Sequence, residues 1–351
     1  FSNWTEQAGL QGQLGGLNLA QGDYDNDGYA DILVLRGAWF SILGHGAGNY
    51  PNSLLRNKGD GTFEDVTIDA GLLGLHPTHT AVFVDYDLDG WLDIFMGNES
   101  VGEEIHPCQL FHNNRDGTFT DVAPKVGLNH IGFVKGSAWG DYNNDGYPDV
   151  YLSRFQQSNL LFRNDSSDGD TRKFTDVTGE AGVSDPVPSF PVWFWDFNND
   201  GWEDIFVACF SAYLGSKLEE SVADYLGISE SEHSRLYRNN GDGTCSNVTK
   251  EVKLDAVLLS KGANYGDIDN DGFLDAYIGT GQPAMNSLVP NRMFRNSGGS
   301  VFQDVTTSGG FGHLQKGHGI SYGDIDNDGD QDIYAVLGGA YSGDTYQNAL
   351  F

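Results

Sequence analysis

Six copies of a nine-residue motif, Asp-x-Asp/Asn-x-Asp-Gly-x-x-Asp, constrain the fold of this chain more than any other feature. The copies are DYDNDGYAD at 23–31, DYDLDGWLD at 85–93, DYNNDGYPD at 141–149, DFNNDGWED at 196–204, DIDNDGFLD at 267–275 and DIDNDGDQD at 324–332. Oxygen ligands on alternate residues of a tight loop suit Ca²⁺, and Gly at the sixth position lets the chain turn sharply. The motif therefore predicts six cation-binding loops, called cages 1 to 6 in chain order.

The residues that follow each motif separate these cages from EF-hand loops. An EF-hand loop needs a bidentate Glu at its twelfth position. The chain places apolar residues there: Val34, Met96, Leu152, Val207, Ile278 and Ala335. The ninth position is Asp in every copy, and β-prone runs such as ILVL at 32–35 follow it. Each cage is therefore expected in a hairpin between two strands.

The motif also predicts which atoms hold the ion. We expect side-chain ligands at the first, third, fifth and ninth positions and a backbone carbonyl at the seventh. The side-chain ligands are Asp23, Asp25, Asp27 and Asp31; Asp85, Asp87, Asp89 and Asp93; Asp141, Asn143, Asp145 and Asp149; Asp196, Asn198, Asp200 and Asp204; Asp267, Asp269, Asp271 and Asp275; and Asp324, Asp326, Asp328 and Asp332. The carbonyls belong to Tyr29, Trp91, Tyr147, Trp202, Phe273 and Asp330. About six calcium ions are expected, and the aromatic rings at the seventh position should pack against neighbouring structure.

A second repeated phrase follows the cages and completes a four-strand unit. NSLLRNKGDGTFEDVTIDAGL at 52–72 has later counterparts and reads as strand, Asp-Gly turn, strand. With the strands entering and leaving each cage, every repeat has four antiparallel strands, which is typical of a β-propeller blade. We expect an all-β fold with six blades in a single domain over residues 1–351; seven blades are the alternative.

The chain ends predict how the last blade is completed. FSNWTEQAGL at 1–10 matches the end of the second phrase, and QNALF at 347–351 matches its beginning. We therefore expect the N-terminal strand to complete the last blade beside the C-terminal strand, which removes a free sheet edge.

Composition restricts partners and location. The chain has 50 acidic and 19 basic residues and a net charge of −31. No basic patch exists to neutralise phosphate, so nucleic acid is excluded as a partner, and no apolar run is long enough for membrane insertion. Cages of this kind fill where calcium is abundant, which favours an extracellular, secreted, periplasmic or cell-surface protein.

The pairing of the D-x-D-x-D-G-x-x-D hairpin with R-N-x-G-D-G-T-F-x-D-V-T-x-x-A-G-L resembles the FG-GAP/VCBS repeats of integrin α-chain propellers. It resembles most closely the cartilage acidic protein-like (ASPIC/UnbV-associated) family, over essentially the whole chain. The resemblance implies a calcium-stabilised extracellular propeller used in adhesion or ligand recognition. It also implies that cages lie on one face and ligand contacts on the other, and it carries over no catalytic set.

Histidine and aromatic residues mark the face away from the cages. Eight of the nine histidines map to loops there, and only His112 is expected in a strand. Aromatic rings suit sugars or protein hot spots, and imidazoles could also form a transition-metal or acid-base centre. Lys135, Lys261 and Lys316 are expected in one shared slot before the innermost strand. The candidate ligand-binding residues are Trp39, His45, His79, His106, Tyr213, His233, His318 and Tyr341.

Three functional classes follow from this pattern. The leading one is a recognition or adhesion module for a glycan or protein ligand, bound by long loops on a rigid scaffold. A structural subunit of an extracellular assembly or filament, built by self-assembly through strand exchange, is the second. An enzyme with a histidine-lined site at the channel mouth is the third and least favoured, because the chain contains no nucleophile elbow or zincin motif.

Overall fold

A computed structural model describes residues 2–13, 15–36, 50–166, 172–210, 231–280, 289–338 and 346–351 of the chain. Strands β1 to β4 form blade 1: Asn18–Gly22, Asp31–Leu35, Ser53–Asn57 and Phe63–Asp65. Strands β5 to β8 form blade 2: Thr78–Val84, Asp93–Asn98, Gln109–Asn113 and Phe119–Asp121. Strands β9 to β12 form blade 3: Val134–Gly140, Asp149–Arg154, Leu160–Ser166 and Arg172–Asp176.

The second half of the chain repeats this arrangement. Strands β13 to β16 form blade 4: Ser189–Trp195, Asp204–Cys209, Arg235–Asn239 and Cys245–Asn247. Strands β17 to β20 form blade 5: Ser260–Gly266, Asp275–Thr280, Arg292–Ser297 and Val301–Asp304. Strands β21 to β23 form blade 6: Gly317–Gly323, Asp332–Leu337 and Ala349–Leu350. The helices of the described residues are two four-residue turns, α1 (Ala123–Val126) and α2 (Thr178–Ala181).

Each blade is an antiparallel meander in which strand order follows the sequence. The first strand ends directly before a cage and the second begins at its ninth residue, so that Gly22 pairs with Asp31 in blade 1. The expected position of the cages between two strands is therefore confirmed, as is the fold class: these sheets are the six blades of a β-propeller. In the described residues, blades 1 to 5 have four strands and blade 6 has three.

The N-terminal residues form a turn against blade 1. The Phe63 amide donates to the Ala8 carbonyl (3.0 Å), just as the Phe119 amide of blade 2 donates to the Ala70 carbonyl (2.9 Å). The N-terminal turn thus contacts blade 1 in the way that the turn after blade 1 contacts blade 2. Phe1 lies outside the described residues and Ser2 and Asn3 form no strand, so the closing strand stays a prediction.

The contacts within the chain divide it into two compact units. The single domain over residues 1–351 stays a prediction. One unit comprises residues 1–139, 145–152 and 162–176, and the other comprises 140–144, 153–161 and 177–351. The first has a core of aliphatic and aromatic side chains that includes Leu33, Ile94 and Phe111. In the second, Trp193 stacks on Phe206 with ring centroids 4.5 Å apart. No described helix could cross a membrane.

Candidate metal cages and the loop end

All six cages share one backbone conformation. The fourth residue is left-handed in every copy, with φ between 54° and 61°, and the sixth-position Gly has φ between 87° and 96°. The expected sharp turn at Gly is confirmed. The turn at the fourth position was not predicted, although its signal is visible in the sequence: five of the six residues there are Asn, which tolerates this conformation, and the exception is Leu88.

Backbone amides orient the cage carboxylates. In cage 1, Asp23 accepts from the amides of Asp27 (3.0 Å) and Gly28 (2.8 Å), and the same pair of bonds recurs in cages 2, 4, 5 and 6. The fifth-position Asp accepts from the seventh-position amide in all six cages. As a result, oxygens of the first, third and fifth residues lie within 4.8 Å of one another in cages 1, 2 and 5. Cage 6 gathers its first, third and ninth residues in the same way.

The ninth-position Asp ties each cage to its own blade. In cage 1 the Asp31 carboxylate accepts from the Tyr24 amide (3.2 Å) and from the Asn57 amide of β3 (2.7 Å). This aspartate is fully buried in cages 1 to 5. Burial raises the pKa of Asp93 to about 8 and that of Asp204 to about 7, because a carboxylate without a counter-ion is costly inside the protein. The sequence predicted a ligand here but not this connection to the third strand.

A buried Asn on the third strand of blades 2 to 5 joins neighbouring blades. Asn239 donates from Nδ2 to the carbonyl of Glu203 in its own blade (3.0 Å) and to that of Tyr142 at the preceding cage (2.6 Å). Asn113, Asn164 and Asn296 make the equivalent pair of bonds. Sequence reasoning missed this role, although the repeated Arg-Asn pair of the second phrase was visible.

The cages also bond to one another. Asn26, the fourth residue of cage 1, donates to the Gly90 carbonyl of cage 2 (3.1 Å). Asn199 of cage 4 donates to Gly272 of cage 5 in the same way (2.9 Å). In the described contacts within each unit, the fourth residue therefore links successive cages, and Leu88 cannot make this bond because it has no side-chain donor.

The donor set of the cages fits a hard cation. Asp25 Oδ1 and Asp87 Oδ1 are buried and have no hydrogen-bond partner among the described residues, and Ca²⁺ takes oxygen ligands of this kind. Cages 3 and 4 have Asn143 and Asn198 at the third position and so carry one charge fewer. Two seventh-position rings pack as expected: a Cβ on Gly59 would meet the Tyr29 ring and a Cβ on Gly241 would meet the Trp202 ring, because these rings cover nearby hairpins.

At the end of blade 2 away from its cage, histidines form local clusters. His76 Nδ1 and His106 Nδ1 lie 3.0 Å apart, and burial lowers the pKa of both rings. His79 Nδ1 lies 3.1 Å from the Glu99 carboxylate, which also bonds Lys135. Burial raises the pKa of Glu99, but these two partners outweigh it and hold the pKa below its usual value.

The placement of two histidines and one lysine corrects the sequence analysis. His79 lies in β5 and His318 in β21, so His112 is not the only histidine in a strand. Both lie six residues before their cage, the slot that Lys135 and Lys261 take in blades 3 and 5. Lys316 lies two residues earlier, so the expectation that it shares this slot was wrong.

The remaining candidate ligand residues do not form one described cluster. His233 Nδ1 lies 2.5 Å from the Asp255 carboxylate in a polar cleft of about 360 Å³ beside blade 4. The side chains of Lys250 and Arg235 also line that cleft. Trp39, His45, Tyr213 and Tyr341 lie outside the described residues.

Comparison with known proteins assigns the family. A profile described as FG-GAP-like repeat matches residues 40–96, 85–152, 141–207 and 221–278, which together exceed half of the chain. The chain belongs to the FG-GAP-like repeat family. The matched FG-GAP-like repeats follow the cages, since the second range begins at Asp85 and ends at Leu152 in β10. The sequence resemblance to this family is confirmed.

Relatives of this FG-GAP-like chain include cartilage acidic protein 1. The protein of Homo sapiens is 28% identical over 212 residues, covering 59% of this chain and 28% of that protein. That of Mus musculus is 27% identical over 212 residues, covering 59% and 29%. The chain therefore aligns with less than a third of their length. Among solved structures, the V. cholerae biofilm matrix protein Bap1 matches with a TM-score of 0.41 and 12% identity, covering 81% of this chain and 38% of that chain.

Proposed function

We propose that this FG-GAP-like propeller is a calcium-stabilised extracellular module that recognises a glycan or protein ligand through the loop ends opposite its cages. The observation that carries the proposal is that the two ends of blade 2 present different kinds of side chain. One end gathers the carboxylates of Asp85, Asp87 and Asp89, and the other presents the His76–His106 pair. A scaffold held at one end leaves the other end available for recognition.

Calcium is the cation that these cages fit best. Each cage offers oxygen ligands from four side chains and one carbonyl, and two third-position oxygens are buried without a partner among the described residues. Binding would offset the repulsion between the gathered carboxylates, which is strongest at these positions because they are packed closely. Millimolar calcium outside the cell would keep such sites filled, which supports a secreted or cell-surface location.

The loop end of blade 2 has the character of a recognition surface. Leu75 and Ile105 neighbour the two histidines in the sequence and are 59% and 53% exposed. Exposed apolar side chains beside polar rings suit both sugar faces and protein surfaces. Asp255, Lys250 and His233 offer a second, polar cleft on blade 4.

The test is a binding screen in calcium against a glycan array and a panel of purified extracellular matrix proteins. The double variant Ile105→Ser/His106→Ala should lose most of the binding of whichever ligand the wild-type protein selects. Leu88→Asn is the matched control, because it replaces an exposed Leu at the cage end with the residue of the other five cages. Binding that survives the double variant, or that is lost equally in the control, would contradict the proposal.

A further inference from the structure

His112 occupies a position that is Arg in the third strands of blades 1, 3, 4 and 5. The residue before the buried Asn is Arg56 in β3, Arg163 in β11, Arg238 in β15 and Arg295 in β19. In blade 5, Arg295 approaches its own cage, with Nε against Asp269 and a terminal nitrogen 3.4 Å from Asp271. The same position in blade 2 therefore faces the carboxylates of cage 2.

The His112 ring is directed at two of these carboxylates. His112 Nδ1 lies 3.5 Å from Asp87 Oδ2 and 3.3 Å from Asp93 Oδ1. Asp87 also belongs to the Asp85, Asp87 and Asp89 group, so one residue connects the imidazole with the rest of the cage. His112 Nδ1 and Asp87 Oδ1 are both buried and make no hydrogen bond among the described residues. The Tyr86 ring packs edge-on against the imidazole, with centroids 6.1 Å apart, and fixes its orientation.

This replacement changes the chemistry of the cage. An Arg guanidinium has no lone pair for a metal and stays charged, whereas a neutral imidazole offers a nitrogen ligand. Calcium takes oxygen ligands, and imidazole suits first-row transition ions. Cage 2 thus combines four carboxylates with one nitrogen donor, a combination that the other five cages lack in sequence or in described contacts.

We propose that cage 2 selects a divalent first-row transition ion, with His112 Nδ1 as a ligand beside Asp87 and Asp93. The inference rests on the proposed function in one respect, namely that the cages bind cations, and it departs from the calcium assignment at cage 2 alone. His112 is then the residue that sets ion specificity in blade 2. The competing role is that of a protonated counter-ion, which would substitute for Arg without touching a metal.

The experiment is a titration of protein freed of transition metals with Mn²⁺ and, separately, Zn²⁺ at neutral pH in millimolar calcium. Isothermal titration calorimetry should find one transition-ion site that calcium does not displace. Pulsed electron paramagnetic resonance of the Mn²⁺ complex should show coupling to a ¹⁴N nucleus. His112→Arg restores the residue of the other blades and should weaken the site at least about tenfold, while abolishing the ¹⁴N coupling, because it removes the nitrogen ligand.

Two further variants locate the site. Arg295→His places an imidazole beside Asp269 and Asp271 and should add a second transition-ion site. His76→Ala removes one member of the His76–His106 pair, which lies away from the cage, and should leave the cage 2 site unchanged. Transition-ion affinity retained in His112→Arg, absence of ¹⁴N coupling, or loss of the site in His76→Ala would each overturn the inference. If no transition-ion site is found but calcium still raises the Tm, this inference is wrong and the proposed function is unaffected. If calcium has no effect on the Tm either, the proposed function is contradicted as well.

Discussion

At the scale of single residues, the hydrogen bonds donated by the third-strand Asn and accepted by the ninth-position Asp explain why the cages and blades form one system. The third-strand Asn and the ninth-position Asp have short polar side chains, yet most of them are fully buried. Buried polar groups persist only when their hydrogen bonds are made. Here the partners are backbone groups of the cage and of the neighbouring strand, so the side chains substitute for a strand pairing that the cage interrupts.

Replacing Asn239 with Ala should lower the free energy of unfolding by about 2–3 kcal/mol. The change leaves the carbonyls of Tyr142 and Glu203 buried without their donor. Urea denaturation measured in calcium is the test. The control is Asn240→Ala, since Asn240 is exposed and bonds only to nearby Thr244 and Ser246 among its described contacts. Equal stability losses in the two variants would contradict the joining role of Asn239.

At the scale of the element, the cage hairpin is a unit that works within its own blade. Its amides, its left-handed fourth residue and its ninth-position carboxylate recur from copy to copy. The effect of losing one ligand should therefore be local, because blades of repeat proteins interact mainly with their neighbours.

Asp25→Ala should weaken blade 1 while the fold persists. The variant removes a buried third-position oxygen that has no partner among the described residues and that we assign to calcium. Hydrogen exchange in calcium should rise in β1 to β3 and stay unchanged in blades 4 and 5. Asp69→Asn, at an exposed turn residue of the same blade, should change nothing. Uniform loss of protection throughout the chain would rule out a local role.

The metal-free protein should lose stability as pH rises from about 4 to about 8. Burial holds the pKa of Asp93 near 8 and that of Asp204 near 7, well above the 3.8 of an exposed Asp. In this range the folded state binds more protons than the unfolded state, so the free energy of unfolding falls as pH rises. Urea midpoints in chelator should show this decline, and calcium should reduce it. A rise in stability with pH in chelator would be the opposite result.

At the scale of the whole molecule, the large negative net charge dominates the electrostatics. A net charge of −31 disfavours the compact state through self-repulsion, and the proposed calcium ions would reduce that charge where it is densest. Stability and calcium concentration should therefore be coupled.

A chelator should lower the Tm, and added calcium should raise it progressively. Ligand that binds only the folded state stabilises it by about 2.7 kcal/mol per site at a hundredfold excess over the dissociation constant. Differential scanning fluorimetry over a calcium series is sufficient to measure this. Equivalent ionic strength supplied as sodium chloride is the control, since screening alone should not reproduce the effect. A Tm that changes with neither chelator nor calcium would contradict calcium binding by the cages.

The sequence predicted this fold well because its signals are local and repeated. Six copies of a turn motif, the first five of them followed by a hairpin phrase, fix strand count and order without knowledge of long-range pairing. The interactions that were missed lie far apart in the chain. The bond between Asn239 and Tyr142 spans 97 positions. The repeat spacing places His79 and His318 at one position, but it does not show that the strand pairing skips both residues.

The irregular start of the innermost strand gives this chain room to vary. Strand pairing skips a residue at His79 and at His318, and skips two in blades 4 and 5, a step that includes Phe190 and Lys261. A skipped residue lies outside the regular pairing of the two strands. Histidine, phenylalanine or lysine occupies this position in different blades, while the strand pairing on either side of it persists. The same frame therefore accommodates different side-chain chemistry at one position of each blade.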